Sequence, residues 1–99
     1  MERANIYFST LSKALFADDV AWYNQRGQHL AKALVLEVTE ALDQLRVYPF
    51  LAKATTHQHR ELPLKVFPYV IVLREEADGF LVKAVFHTSL NPSKKYRSP

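Results

Sequence analysis

The stretch at residues 69–88, Y-V-I-V-L-R-E-E-A-D-G-F-L-V-K-A-V-F-H-T, decides the fold of this chain. Two segments rich in β-branched and aromatic residues, 69–75 and 80–88, flank the pair Asp78-Gly79. An Asp-Gly pair between such segments is typical of a tight β-hairpin turn. We therefore predict two antiparallel strands joined at this pair.

The turn also predicts a strand register. With the Asp78-Gly79 pair at its centre, Arg74 lies opposite Lys83, and His87 lies on the same face of the hairpin. Two cations directly opposite each other are unfavourable unless an anion lies near them. Arg74 and Lys83 are therefore a candidate anion site, unless Glu61 or Glu75 neutralises them or a bulge shifts the register by one residue. The opposite face, which is expected to meet the helices, carries Tyr69, Ile71, Leu73, Ala84 and Phe86.

Another strand is predicted just before the hairpin. Residues 60–66 alternate apolar and polar side chains, and Pro63 is typical of a strand at a sheet edge. Residues 50–59 show neither a helical nor a strand period, so we predict a loop there. His57 and His59 lie in this loop, but no third conventional ligand follows at a metal-site spacing. We therefore expect no metal site.

A short strand and two helices are predicted ahead of these strands. Residues 5–8 are mostly apolar or aromatic, and Ser9 and Thr10 after them are good helix N-caps. The first helix then runs to Gly27, a typical helix end, and the second runs from there to Pro49. The predicted order is β-α-α-β-β-β. The apolar stripe of the second helix consists of Leu30, Leu34, Val38, Leu42 and Leu45.

Four residues of the first helix invite a functional interpretation. Trp22 and Tyr23 could stack on nucleic-acid bases, but on an amphipathic helix we predict that both anchor the core. Asp18 and Asp19 are predicted to be exposed helix charges. None of the four therefore enters the candidate site.

Composition limits the class of protein. The 99 residues suffice for one hydrophobic core, so we predict a single domain over 1–99. The absence of cysteine excludes disulfides, thiolate metal sites and cysteine nucleophiles. The longest apolar run is about half of what a bilayer-spanning helix needs, and no signal-peptide pattern is present. We expect a soluble protein with no membrane partner.

The charge is distributed unevenly. The net charge is +3, and the cations that follow Asp78 meet no acidic residue. This asymmetry favours an anionic partner such as RNA, DNA or an acidic protein segment; the alternative is a solvated tail that keeps the protein soluble. The candidate residues for binding an anionic partner or target are Arg60, Lys65, Lys94, Lys95 and Arg97.

The C-terminal half resembles a known family. From Arg60 the chain reads R-E-L-P-L-K-V-F-P-Y-V-I-V-L-R-E-E-A-D-G-F-L-V-K-A-V-F-H-T-S-L-N-P. This resembles the RelE/ParE superfamily of type II toxin–antitoxin toxins, whose members carry R-x-L-x-x-x-x-F-P-Y-x-I, an acidic turn and A-V-x-H-x-x-R-x-P. Upstream, A-W-Y-N-Q-R-G and L-x-x-x-V-x-x-A-L-x-x-L-x-x-x-P resemble the helical hairpin of that family. The resemblance spans nearly the whole chain and implies an α+β fold, with two antiparallel helices on one side of a small, mostly antiparallel sheet.

The resemblance implies a cytoplasmic bacterial toxin that a cognate antitoxin protein holds inactive and that needs no cofactor. ParE-like members, which include plasmid stabilisation proteins, poison DNA gyrase without chemistry of their own; RelE-like members are ribosome-dependent endoribonucleases that cut mRNA. We favour the ParE-like function, because the ending H-T-S-L-N-P is closer to that branch. Leu90 stands where the family usually has an arginine, and this loss weakens phosphate or carboxylate binding. It leaves two further alternatives, an inactive member or a different target surface.

A ribonuclease of this kind needs a base, a cation and an acid, and no metal. If the chain is a ribonuclease, the candidates for these roles are His87, Arg74, Lys83 and Tyr96. In a ParE-like protein, His87 is instead a structural or binding residue. In either case we expect the antitoxin to bind as an extended segment plus a helix, covering the groove between helical hairpin and sheet and countering the basic C-terminal surface.

Overall fold

The structure is a computed structural model that describes residues 4–56 and 58–88. Two helices pack on one face of a five-stranded sheet with the order β1-β5-β4-β3-β2. β1 runs parallel to β5, and the other neighbouring pairs are antiparallel. The elements in chain order are β1 (Asn5–Phe8), α1 (Thr10–Arg26), α2 (Gln28–Val47), a 3-10 turn (Pro49–Leu51), β2 (Lys53–Thr56), β3 (His59–Pro63), β4 (Tyr69–Glu76) and β5 (Gly79–His87). The predicted α+β class is confirmed.

Several of the residues singled out in the sequence lie outside the described residues. They are His57, Leu90, Lys94, Lys95, Tyr96 and Arg97. Their candidate roles stay predictions.

The ends of α1 follow from local signals. The Ser9 hydroxyl accepts the backbone N–H of Ser12 at 3.1 Å and caps the helix, as predicted. The Ser12 hydroxyl, which is buried, donates to the carbonyl of Val82 at 2.8 Å and ties the helix to β5. At the other end, Gly27 donates its N–H to the carbonyl of Tyr23 at 3.0 Å and separates α1 from α2.

The core lies between α2 and the sheet. The predicted stripe of α2 is buried at Leu34, Val38, Leu42 and Leu45. At its start Ala31 is buried in place of Leu30, which is only half-buried. The stripe packs on side chains of β4 and β5 that face the helices. Those side chains are Tyr69, Ile71, Leu73, Phe80, Val82 and Val85.

The predicted register of the hairpin is wrong. Glu76 pairs with Gly79, so the two turn residues are Ala77 and Asp78. Further along, Val72 pairs with Ala84 while Leu73 pairs with Val82, which leaves Lys83 as an extra, bulged residue of β5. Such a bulge inserts one residue into one strand and reverses the alternation of the side chains beyond it.

The bulge changes which side chains of β5 meet the helices. Val82 and Val85 belong to the core beneath the helices, whereas Phe86 and Ala84 lie with Val70 and Val72 in a second cluster. The prediction that Ala84 and Phe86 face the helices is therefore wrong. The same prediction is confirmed for Tyr69, Ile71 and Leu73, because the extra residue lies in β5 and β4 keeps its regular alternation.

The predicted loop at 50–59 contains a strand. Residues 53–56 form β2, which pairs antiparallel with β3, so the order has one more strand than predicted. All four residues of β2 are exposed, and an edge strand without a buried face has no alternating pattern to recognise. β3 ends at Pro63, and Val66, predicted to continue that strand, is 82% exposed in the following loop.

Candidate functional site

A cluster of titratable and aromatic side chains lies where β5 ends. His87 pairs with Tyr69 across the hairpin, and the two rings meet edge to face at 5.1 Å between centroids. Tyr23 of α1 lies 6.3 Å from Tyr69 by the same measure and also meets Phe67 at 5.3 Å. With Asp19, also on α1, these side chains form what we call the Tyr69–His87 cluster (Asp19, Tyr23, Tyr69 and His87).

Burial and charge set the protonation states in this cluster. Burial, with a smaller effect of Asp18, raises the pKa of Asp19, while the charge of His87 lowers it. Burial also raises the pKa of Tyr69 above its usual range, and Asp19 and a hydrogen bond with Tyr23 add to this effect. Tyr69 therefore keeps its proton at neutral pH, and the Asp19 carboxylate attracts the imidazole of His87 when that ring is protonated.

The structure does not bring together the three residues predicted to share one face. Arg74 pairs with Leu81 and lies on the sheet face away from the helices, where it forms an ion pair with Glu76 at 3.4 Å. His87 lies on the helix side, opposite Tyr69. Arg74 lies five positions along β4 from Tyr69, the partner of His87, which corresponds to about 17 Å along a strand.

The predicted pairing of Arg74 with Lys83 is also wrong, and their role as an anion site stays a prediction. Arg74 lies opposite Leu81, and Lys83 is the bulged residue with no partner on β4. Arg74 is displaced because the turn lies at Ala77 and Asp78, one residue earlier than predicted, and Lys83 is displaced because it is the bulged residue.

Of the alternatives left open by the sequence, the bulge occurs. The carboxylate that pairs with Arg74 is Glu76, which is neither of the two glutamates predicted for this role, while Glu75 pairs with Arg60.

Two other candidate basic residues are described. Arg60 forms an ion pair with Glu75 at 2.5 Å and donates to the carbonyl of Ala52 at 3.0 Å, so it joins the β2 end of the sheet to β4. Lys65 is exposed in the loop between β3 and β4. Arg60 is thus occupied within the fold, and only Lys65 of these two presents its side chain to solvent.

The loop between β3 and β4 is held against α2 by one carboxylate. Glu37 accepts the backbone N–H groups of Lys65, Val66 and Phe67 at 2.7, 3.0 and 3.1 Å. Burial alone would raise the pKa of Glu37, but these three donors together with the charge of Lys65 lower it. We call this arrangement the Glu37 clamp. No sequence pattern predicted it, because a glutamate on an exposed helix face carries no local signal of its partner.

Beside the Glu37 clamp, a groove separates α2 from β3. It encloses a cavity of about 220 Å³, bounded by α2 on one side and by β3 and its following loop on the other. A second cavity, of about 330 Å³, adjoins it along α2 and shares Glu37, Glu40 and Lys65 with it. The two cavities form what we call the α2–β3 groove.

The outer side of α1 is partly apolar. Trp22 is 50% exposed, and the Arg26 guanidinium stacks on its ring at 3.3 Å from the ring centroid. The prediction that Trp22 anchors the core is therefore wrong. Tyr23 does pack against the core, as predicted. Asp19 is half-buried, which corrects the prediction of an exposed charge.

Residues 4–56 and 58–88 offer neither a metal centre nor a membrane span. No group of three or more His, Cys, Asp or Glu side chains among them could hold a metal ion. Within the same residues, no helix is both long enough and apolar enough to cross a membrane.

The fold has a counterpart among solved structures. No family model matches the chain, and neither does any curated protein. A chain of the chromosomal ParDE TA (toxin–antitoxin) system from P. aeruginosa superposes with a TM-score of 0.73, over 88% of this chain and 98% of that chain. The sequence identity is 13%, so the likeness establishes the fold alone. The fold implied by the RelE/ParE resemblance is confirmed.

Proposed function

We propose that this chain is the toxin of a bacterial type II toxin–antitoxin pair, acting in the cytoplasm and held inactive by an antitoxin. The observation that carries the proposal is the likeness to the ParDE chain, which extends over nearly all of both molecules. The RelE/ParE motifs of the sequence support it independently. Each is weak by itself, but together they occur in the order of that superfamily along the chain.

The mode of action that we propose is ParE-like: the protein inhibits growth by binding an essential target such as DNA gyrase, without catalysis. The separation of Arg74 from His87 supports this choice. RNA cleavage needs a cation close to the reacting phosphate and to the base, and Arg74 lies on the opposite sheet face and is paired with Glu76. A binding function requires no such convergence.

The second candidate is a RelE-like, ribosome-dependent mRNA endoribonuclease. One observation favours it: the carboxylate of Asp19 lies close enough to His87 for their charges to interact. A carboxylate beside an imidazole is a common way to hold a histidine for proton transfer. In that case His87 is the general base or acid, and the cation comes from residues other than Arg74.

Two parallel assays separate the candidates. Purified protein is added to gyrase in a supercoiling assay and to translating ribosomes carrying a defined message. The ParE-like proposal expects inhibited supercoiling and an intact message. Cleavage at defined codons that disappears in His87→Ala, with supercoiling unaffected, would establish the ribonuclease instead.

A third result identifies an inactive family member. If neither supercoiling nor the message changes at protein concentrations that saturate antitoxin binding, the proposed toxin activity is wrong, although the antitoxin partnership stands.

The variant Asp19→Asn tests the ribonuclease candidate. Asp18→Asn is its matched control, because Asp18 is the neighbouring, exposed carboxylate. A ribonuclease would lose activity only in the Asp19 variant.

A further inference from the structure

The side of α2 that faces away from the core is centred on Leu36. This leucine is 57% exposed. Six other exposed residues, three before it and three after it, lie within about 60° of it around the helix and extend over about 21 Å, or four helical turns. Together they form what we call the outer α2 face, which consists of His29, Lys32, Ala33, Leu36, Thr39, Glu40 and Asp43.

Leu36 borders two hollows in the surface of the protein. One, of about 400 Å³, lies between α1 and α2, where Val20 and Val35 line it with Leu36. The other is the cavity of about 330 Å³ that Leu36 shares with the exposed Val66. An exposed leucine beside apolar hollows is suited to packing between the side chains of another helix.

The charges of the outer α2 face change sign at Leu36. Lys32 lies four residues before Leu36, and Glu40 lies four residues after it. Within residues 4–56 and 58–88, neither charged side chain has an ion-pair or hydrogen-bond partner. The two lie about 12 Å apart along the helix, which is too far for them to pair with each other. His29 and Asp43 repeat the pattern seven residues away on either side, although Asp43 also forms an ion pair within α2.

This pattern is complementary to a second copy of itself. Two copies of α2 that pack antiparallel, with a two-fold axis at Leu36, bring the two leucines together at the centre. Lys32 of each copy then lies at the level of Glu40 of the other copy, so the symmetric contact contains two ion pairs. A parallel arrangement in the same register would place lysine beside lysine and glutamate beside glutamate, which is repulsive.

We propose that the chain forms a symmetric homodimer in which the outer α2 faces of two copies pack antiparallel around Leu36. Lys32 of each copy pairs with Glu40 of the other. The proposal is independent of the proposed function, because it uses only the exposed surface of α2. No residue of the Tyr69–His87 cluster belongs to this face.

Sedimentation of the purified full chain over a range of concentrations measures the dimer. We expect the wild-type chain to dimerise, and Leu36→Asp to raise the dissociation constant at least about 10-fold, because two carboxylates would meet at the centre of the contact. Leu15→Asp is the matched control: Leu15 is 51% exposed on α1, outside the outer α2 face, and its replacement should leave the dissociation constant within about twofold. A wild-type chain that stays monomeric up to its solubility limit would overturn the proposal.

A charge exchange tests the antiparallel register. Lys32→Glu alone and Glu40→Lys alone each create like-charged contacts, so each should raise the dissociation constant at least about 10-fold. The double variant restores both pairs with the signs exchanged and should return within about threefold of the wild type. A mixture of the two single variants should form heterodimers in preference to either homodimer. If the single variants dimerise like the wild type, or the double variant is no better than they are, the contact lies elsewhere and the proposal is wrong.

Discussion

Burial decides the chemistry of Tyr69. Its side chain is 5% exposed, and burial raises the pKa of its hydroxyl, with contributions from Asp19 and Tyr23. The hydroxyl therefore acts at neutral pH as a hydrogen-bonding group and not as a base or a nucleophile.

The Glu37 clamp should make the stability of the chain depend on pH. Its carboxylate has a folded-state pKa below its ordinary value of 4.5. Its contribution to stability is therefore complete above that value and is lost as the pH falls through the folded-state pKa. We expect Glu37→Gln to lower the free energy of unfolding by about 1–2 kcal/mol at neutral pH, because a charged acceptor of three N–H groups becomes neutral.

Urea denaturation at a series of pH values from neutral to acid measures this effect. The wild-type chain should lose stability below about pH 4.5 more steeply than Glu37→Gln does. Glu40→Gln is the matched control, since it removes a carboxylate from the same helix without removing a described hydrogen bond. Parallel pH profiles for wild type and Glu37→Gln would contradict the role assigned to the clamp.

At the scale of elements, the bulge in β5 determines which face each side chain occupies. Removing Lys83 would leave Val82, Ala84 and Val85 in a regular alternation that still places both valines toward the helices. We therefore expect the Lys83 deletion to fold, with a loss of about 1–2 kcal/mol from the altered strand twist. Removing Leu81 instead would put Phe80 and Val82 on opposite faces and should unfold the chain.

Thermal unfolding of the two deletion variants, followed by circular dichroism, compares them directly. Cross-strand contacts in NMR spectra of the Lys83 deletion should retain the Val72–Ala84 pairing. If both deletions are equally destabilising, the fold requires the bulge residue itself, and alternation along β5 does not explain which side chains meet the helices.

At the scale of the whole molecule, β1, the first strand, lies beside β5, the last strand of the described residues. It pairs in parallel with β5, and Asn5 donates its N–H to the carbonyl of Asp78 at 3.0 Å. Gly79 permits this approach, because a Cβ on that residue would lie 1.8 Å from the carbonyl oxygen of Asn5. We expect Gly79→Ala to lower the free energy of unfolding by about 1–3 kcal/mol, since β1 must move away.

Equilibrium urea unfolding measures the cost of Gly79→Ala. Hydrogen exchange should show faster exchange in β1 while the amides of α2 keep their protection. Ala77→Ser is the control, because Ala77 lies in the same turn and is exposed. A Gly79→Ala variant with wild-type stability would show that β1 is not held against the hairpin turn.

The sequence by itself determined the features that depend on neighbouring residues. Ser9 capped α1, Gly27 separated the helices, and the spacing of the α2 stripe identified its buried side, because capping and helical periodicity act within a few residues. The hairpin was predicted to within one residue of its turn. The RelE/ParE resemblance added the packing of the helices on the sheet, which local patterns do not give.

Tertiary structure alone decided what depends on residues far apart in the chain. The bulge at Lys83 reverses the faces beyond it, and β2 exists as a strand only because β3 lies beside it. The charge of His87 acts on Asp19 across 68 residues of sequence, and Glu37 binds the loop after β3 across 28 or more. No local pattern encodes such contacts, because they form only when α1 and α2 pack on the sheet, and the candidate site and the α2–β3 groove consist of them.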